Sequence, residues 1–298
     1  MLIKLEDMLI QSSARQSQRC LIVTTQNSLV NRLRNSQNKI ISKKYSELDL
    51  NEANQIAEQL LTFTKESYDK ISEKYAKKRG DAPHDSEIED WNKLLNLARF
   101  RAKLGLLGDN NGILNILDIG TGPGRDIKYA SKIADLRIIG IDNSDGFIEL
   151  LRNMESRREI PSGSFLKADM RNLSAFPEGY FDIVRNNASL IHLPIIKKGY
   201  MADLAISESF RVLKDKGLLF LLVREGDGLK LIDSREGLGV RFYQLFSREK
   251  LLDLVTRNGF KNIMLWERPS SRNKKVIWLA LIAEKSLDLY MRDHIEYK

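Results

Sequence analysis

One cysteine, Cys20, stands in 298 residues, so no internal disulfide can form, and no Cys/His cluster has the spacing of a metal site. Long apolar runs are missing too. The longest, Gly217–Val223 and Val276–Ala283, fall far short of a bilayer span and read as strands. No apolar secretory segment opens the chain. These absences lead us to expect a cytoplasmic chain with no metal and no membrane partner. Acid is lacking locally: between Met8 and Lys44 there is no Asp or Glu, against seven Arg and Lys. Three readings of residues 1–55 follow. A short strand at Cys20–Thr24 and a helix at Leu29–Arg34 would make a small appendage. A basic arm over residues 8–44 would touch nucleic acid or another anionic surface. An Arg- and Ser-rich segment also fits a transit-like leader, although Glu6 and Asp7 count against it.

What is present is ordinary for a globular chain: 42% hydrophobic and 30% charged residues. The length suits one large domain, or one domain plus an extension. A net charge of +8 hints at an anionic partner, and equally at a surface with surplus lysine.

The most ordered signal begins at Ile113–Ile119, apolar except for Asn115 and Asp118, as in a strand buried on both faces. Gly120, Gly122 and Gly124 follow at alternate positions. Ile127, Ala130, Ile133 and Ala134 then recur at helical spacing. The order is strand, glycine turn, helix. Glycine permits a tight turn and lets a ligand approach the backbone, and the free N–H groups opening the helix suit an anionic group. A dinucleotide fingerprint wants glycine where Arg125 stands, and a P-loop wants Gly-Lys-Ser/Thr, which is missing. The remaining pattern, Asp118-x-Gly120-x-Gly122-x-Gly124, resembles motif I of the class I S-adenosylmethionine-dependent methyltransferases. The resemblance implies that Asp118, Gly120, Thr121, Gly122 and Gly124 hold the amino-acid end of S-adenosylmethionine.

Leu136–Asp142 is a second strand ending in an acid, eighteen positions after Gly124 (142 − 124). In nucleotide-binding α/β folds an acid about 20 residues on accepts the ribose hydroxyls, which assigns Asp142, with Asn143 beside it, to the ribose. A third short strand, Ser164–Asp169, also ends in an acid, and the resemblance puts Asp169 and Met170 against adenine. Strand Phe181–Val184 runs into Asn186 and Asn187. In the resembled fold this tip lies beside the sulfonium methyl, which implicates Asn186 in cofactor binding. The run Ala188-Ser-Leu-x-His192-x-Pro194 resembles small methyltransferases of the broad type-11 kind. His192 is the candidate base or substrate hydrogen bonder, with packing of its own loop as the competing reading.

Upstream, Tyr68-Asp-x-Ile71-x-x-x-Tyr75 resembles the helix that precedes the core in many small methyltransferases. That makes Tyr68, Tyr75 and Arg79 candidates to reach the cofactor carboxylate. Arg224, Arg241, Tyr243 and Arg268 are candidates to recognise an anionic acceptor, because guanidinium pairs bidentately with carboxylate or phosphate. No Asn/Asp-Pro-Pro-Tyr/Phe motif occurs, which argues against amino methylation of adenine, cytosine or glutamine by that route. Cys20 lies outside the core, which argues against pyrimidine C5 methylation through a cysteine adduct.

Helices over 52–106, broken at Gly80–Pro83, precede five strand–helix alternations and a closing hairpin, Phe260–Arg268 with Lys275–Ala283. Leu213–Gly217 reads as a turn into the fifth strand. The expected fold is α/β: a doubly wound, mostly parallel seven-stranded sheet of the Rossmann-like methyltransferase type with an N-terminal extension. The expected divisions are a basic extension (1–55), a helical cap (56–112), a cofactor-binding core (113–285) and a charged, helical tail (286–298). The expected activity moves a methyl group from S-adenosylmethionine to an O or N nucleophile of a small molecule. The alternatives are an RNA (tRNA) or protein methyltransferase using the basic arm, and a non-catalytic S-adenosylmethionine-binding protein.

Overall fold

The computed structural model describes residues 50–195, 200–233, 240–270 and 273–287. The readings for residues 1–49 and for the tail beyond 287 lie outside the described residues. Two helices come first, α1 (Leu50–Arg79) and α2 (Asp85–Lys103). Residues 50–55 are helical and continuous with α1, so the division expected at 55/56 is not a break in structure. Lys77, Lys78 and Arg79 close α1, where cations meet the negative end of its dipole. Gly80, at φ 73°, then takes the left-handed turn that ends it. The His84 N–H donates to Glu87 at 2.8 Å and so ties down the start of α2.

The core alternates from there: β1 (Leu114–Ile119), α3 (Arg125–Ala130), β2 (Leu136–Asp142), α4 (Asp145–Ser156), β3 (Phe165–Lys167), β4 (Phe181–Asn187), α5 (Tyr200–Val212) and β5 (Leu213–Arg224). After these come β6 (Leu229–Asp233), β7 (Val240–Gln244), α6 (Arg248–Arg257), β8 (Phe260–Pro269) and β9 (Ile277–Lys285). Seven strands form one sheet in the order β3-β2-β1-β4-β5-β9-β8. Its first five strands are parallel, and β9 runs antiparallel to both β5 and β8. This is the expected fold class.

The apolar strand runs explain the layering. On β1, Leu114 and Ile116 face one side while Leu117 and Ile119 face the other. On β5, Leu218, Phe220 and Leu222 alternate with Leu219, Leu221 and Val223 in the same way. The first side packs on Trp91, Leu94 and Leu95 of α2 and on α3 and α4. The second packs on α5, α6 and the start of α1. Each fully buried side chain of this kind stabilises the fold by roughly 1.5–3 kcal/mol relative to exposure.

Three elements differ from expectation. The turn expected at Leu213–Gly217 is part of a longer β5, whose pairing with β4 slips between Phe181 and Ile183. Lys216 there takes φ 62°. The third strand is only Phe165–Lys167. Residues 229–233 and 240–244 add a two-stranded antiparallel sheet, β6–β7, that stands apart from the seven-stranded one. Among the described residues no helix is long and apolar enough to cross a membrane, and no group of His, Cys, Asp and Glu could hold a metal ion.

Candidate active site

A cavity of about 450 Å³ opens at the carboxyl ends of β1, β2, β4 and β5, with α1 and β7 closing it. Ligands of open α/β sheets bind there, in pockets of roughly 300–1,000 Å³.

The glycine turn forms one wall. Gly120, Gly122 and Gly124 all have positive φ (71°, 55° and 77°). The Gly120 and Thr121 N–H groups donate to Ile141 O at 2.8 and 3.0 Å, and the Gly122 N–H donates to Asp142 Oδ2 at 2.8 Å. A Cβ on Gly120 would lie 2.3 Å from Ser189 Cβ, so this glycine lets the β4 tip close onto the turn. A Cβ on Gly122 would meet nothing nearer than 3.9 Å, because this residue faces the cavity. Gly124 differs: it precedes α3, a Cβ there would strike Leu151 at 2.5 Å, and it is not among the cavity-lining residues. Gly120→Ala is expected to cost roughly 1–3 kcal/mol through strain at positive φ and the Ser189 clash. An unchanged urea midpoint would show that Ser189 simply moves aside.

Asp142 ends β2. Its Oδ2 accepts from Gly122 and its Oδ1 from the Ser144 N–H at 2.9 Å. Burial pushes its carboxyl up to about 6, against the pull of these backbone donors. Asn143 lines the cavity beside it. Asp169 and Met170 line it as well, but the Asp169 carboxylate is clasped by Arg171. The Arg171 Nε reaches both oxygens at 3.1 Å, Nη2 donates at 2.7 Å and the backbone N–H at 2.9 Å. Arg171 also reaches Glu58 on α1. Asn186 is not among the lining residues. Its Oδ1 accepts from the Ser189 hydroxyl at 2.7 Å and the Leu190 N–H at 2.8 Å, so it shapes the turn beneath the cavity, and Asn187 lines it instead.

Below the glycine turn lies a buried charge cluster that the sequence reading did not contain. Arg185 of β4 is the register partner of Asp118 on β1 and is 1% exposed. It pairs with Asp118 at 3.0 Å and Asp126 at 3.1 Å and lies over the Trp91 ring at 4.5 Å. Trp91 Nε1 donates to Asp126 at 2.8 Å. Burial and the neighbouring Asp126 carboxylate hold Asp118 up at about 6 despite Arg185. Arg125, where a dinucleotide fingerprint would carry glycine, pairs with Glu87 of α2 at 3.1 Å. The available signal was Arg185, which with Asp182 puts two ionisable residues into a buried strand.

The opposite wall is aromatic and basic. Tyr68 Oη lies 2.9 Å from His192 Nε2 and accepts from Arg241 Nη1 at 3.2 Å. His192 Nδ1 lies 3.1 Å from Phe242 O, and a carbonyl only accepts, so Nδ1 carries the proton and Nε2 receives the Tyr68 hydroxyl. His192 lies deep in the protein with a face on the cavity, and burial lowers its pKa to about 3, so the ring is neutral. Burial also raises Tyr68 well above its ordinary value. Arg79 Nε donates to Tyr75 Oη at 3.0 Å. Tyr75, Arg79, Arg224, Arg241, Tyr243 and Arg268 all line the cavity, and Arg268 is paired with Asp90.

Among the described residues, four buried side-chain polar atoms lack a well-formed hydrogen bond: Thr64 Oγ1 and Arg241 Nε, and Asp118 Oδ2 and Thr121 Oγ1, whose residues interact only loosely with each other. All four belong to residues that line this cavity. Each such atom costs about 1–3 kcal/mol if left alone.

Residues 117–221 match the family model described as "Methyltransferase domain". The sterol 24-C-methyltransferase erg6 of Aspergillus fumigatus is 30% identical over 106 residues, 35% of this chain and 26% of that protein. The sterol 24-C-methyltransferase of Candida albicans is 28% identical over 109 residues, 36% of this chain and 27% of that protein. The chain thus spans about a quarter of the length of the curated relatives it matches. Among solved structures, the (4+2)-cyclase SpnF superposes with a TM-score of 0.52 at 18% identity, covering 74% of this chain and 94% of that one, a likeness of fold.

Proposed function

We propose that this chain, whose residues 117–221 match the methyltransferase-domain model, transfers a methyl group from S-adenosylmethionine to an O or N nucleophile of a small molecule. One observation carries the reading: Asp118 and Thr121, buried polar side chains that interact only loosely with each other, line the cavity at the glycine turn, where β2 ends in Asp142. A ligand with an amino-acid end and a ribose, whose ammonium and hydroxyls donate, fits that set of acceptors. When bound, S-adenosylmethionine supplies an electrophilic methyl group on a sulfonium centre. Asp118, Gly120, Thr121 and Gly122 would hold its amino-acid end, with Arg79 and Tyr75 at its carboxylate. Asp142 and Asn143 would hold the ribose, and Met170 the adenine. Asp169, saturated by Arg171, takes the part of fixing that guanidinium against α1.

The residues around the acceptor orient it and exclude water; in-line geometry supplies most of the acceleration. His192 acts as a positioning residue, because its Nε2 lone pair holds the Tyr68 hydroxyl. Protonating it is opposed by burial and by the Arg241 charge. Neither member of the Tyr68–His192 pair is therefore a base of useful strength near pH 7. The acceptor must arrive as a nucleophile needing no deprotonation, such as a neutral amine or an ionised oxygen. Accordingly, kcat/KM between about pH 6 and about pH 8 is expected to show no histidine limb, which would otherwise fall near 6.5. A limb abolished by His192→Gln would restore His192 as base.

Calorimetry with S-adenosylmethionine, S-adenosylhomocysteine and NAD tests the cofactor, and S-adenosylhomocysteine release over a panel of small-molecule acceptors tests the reaction. NAD binding without S-adenosylmethionine binding would sink the proposal. Binding of S-adenosylmethionine without turnover throughout would favour a non-catalytic protein.

A further inference from the structure

The buried and half-buried arginines divide into two kinds. Arg185 has Asp118 and Asp126, Arg125 has Glu87, Arg268 has Asp90 and Arg101 has Glu284. Arg241 is 4% exposed, yet among the described residues no carboxylate pairs with it. Its Nη1 donates to Tyr68, its Nε has no partner, and its guanidinium carbon lies 5.1 Å from the Tyr68 ring centre and 5.8 Å from that of Tyr75. A charge taken from water into such a box is costly unless an opposite charge meets it. Tyrosine rings and one hydroxyl meet only part of that cost.

Charges of both signs line the cavity: Asp118, Asp142 and Asp169 at the tips of β1, β2 and β3, with Arg171 on Asp169, and Arg224 and Arg241 from β5 and β7. A second guanidinium, Arg79, stands on Tyr75, which packs on Phe147, the residue nearest to Gly122. Tyr68 packs on Phe147 at the same 5.6 Å as Tyr75; what sets Arg241 apart is its hydrogen bond to Tyr68, the partner of His192 at the β4 tip.

We infer that the methyl acceptor is a small molecule bearing an oxyanion, a carboxylate or a phosphate ester, which pairs with the Arg241 guanidinium. The inference rests on the methyl-transfer reading for the word acceptor; the anion site itself stands on Arg241. The planar fork of arginine presents Nε and an Nη to two oxygens of one anion, and Nε is the atom without a partner here.

The test is titration calorimetry of the full chain, with and without saturating S-adenosylhomocysteine, using benzoate, phenyl phosphate and the neutral benzamide. At least one anion should bind the S-adenosylhomocysteine complex and benzamide should not; the preferred anion names the oxyanion. Arg241→Gln should weaken that anion at least tenfold and leave S-adenosylhomocysteine affinity unchanged. Equal anion binding by wild type and Arg241→Gln, or equal binding of benzamide, overturns the inference. Loss of S-adenosylhomocysteine affinity in Arg241→Gln also overturns it, since Arg241 would then serve the cofactor. If Arg241→Gln does not fold, Arg241→Lys keeps the charge without the fork: weakened anion binding supports the inference and unchanged binding overturns it. Failure of wild type to bind S-adenosylhomocysteine defeats the methyl-transfer reading alone, because the titration without it still reads the anion site.

Discussion

Arg185→Ala is expected to destabilise the chain by ~3–5 kcal/mol, the usual result of removing one partner from a buried ionic cluster. Arg185 is 1% exposed and serves Asp118 and Asp126 together while stacked on Trp91. Its loss strands two carboxylates under the glycine turn. They would respond by holding protons more tightly, which gives the deficit a pH dependence of definite sign. Asp118 already titrates near 6 in the folded chain, above its ordinary value, and without Arg185 it must move higher. A carboxyl raised on folding contributes stability that is fully present below its unfolded pKa and is lost as pH rises through the folded one. The deficit should therefore be smaller at about pH 5.5 than at about pH 8, beyond the range where the ordinary carboxylate pKa of about 3.9 has effect. Urea unfolding of both proteins at the two pH values measures it. A deficit independent of pH would mean that the cluster contributes packing and not charge.

Asp142→Ala is expected to weaken S-adenosylmethionine binding by ~1–3 kcal/mol, the cost of unpaired buried polar groups, which is about 5- to 150-fold. The carboxylate also holds the Gly122 and Ser144 N–H groups, so part of the loss is loosening of the turn. Asp142→Asn keeps one acceptor oxygen and separates the two parts. The wild-type pH dependence has two opposite signs. With its carboxyl held up at about 6, Asp142 contributes stability to the ligand-free chain that is present below about 3.9 and lost as pH rises through 6. Cofactor binding wants the ionised acceptor, so affinity should fall as pH drops below 6. In Asp142→Asn both trends should vanish, so the difference between the proteins isolates them. Calorimetry and thermal melts between about pH 5 and about pH 8 read them. A pH-independent affinity in wild type would remove Asp142 from the ribose.

The parts of the fold that rest on local pattern were legible. Apolar runs through Ile113–Ile119 and Gly217–Val223 gave strands buried on both faces, and the glycine turn gave the strand-to-helix junction. Ser144 and Ser247 each accept from the N–H three residues on, as helix starts do. What sequence could not supply was pairing across space. Asn186 and Asn187 are equivalent in a string, but alternation along β4 turns only Asn187 to the cavity. Asp169 reads as free until Arg171, two residues on, is seen to fold back onto it. Lys216 is compatible with a turn, yet it lies in a strand at positive φ. The β6–β7 pair lacks a strong turn signature, and its long connection hid it.

That separate hairpin has an evolutionary consequence. It holds Arg241 and Tyr243, and through the Phe242 carbonyl it fixes His192, but it shares no ladder with the seven-stranded sheet. Substitutions in it disturb no ladder of the seven-stranded sheet, although Arg241, Phe242 and Gln244 are themselves buried. The recognisable family segment ends at residue 221, just before this hairpin. Under the proposed function, selection can revise what is methylated by editing residues 229–244 while the machinery that holds the methyl donor is inherited unchanged. A family with a constant donor wall and a drifting acceptor wall is the outcome such an arrangement favours.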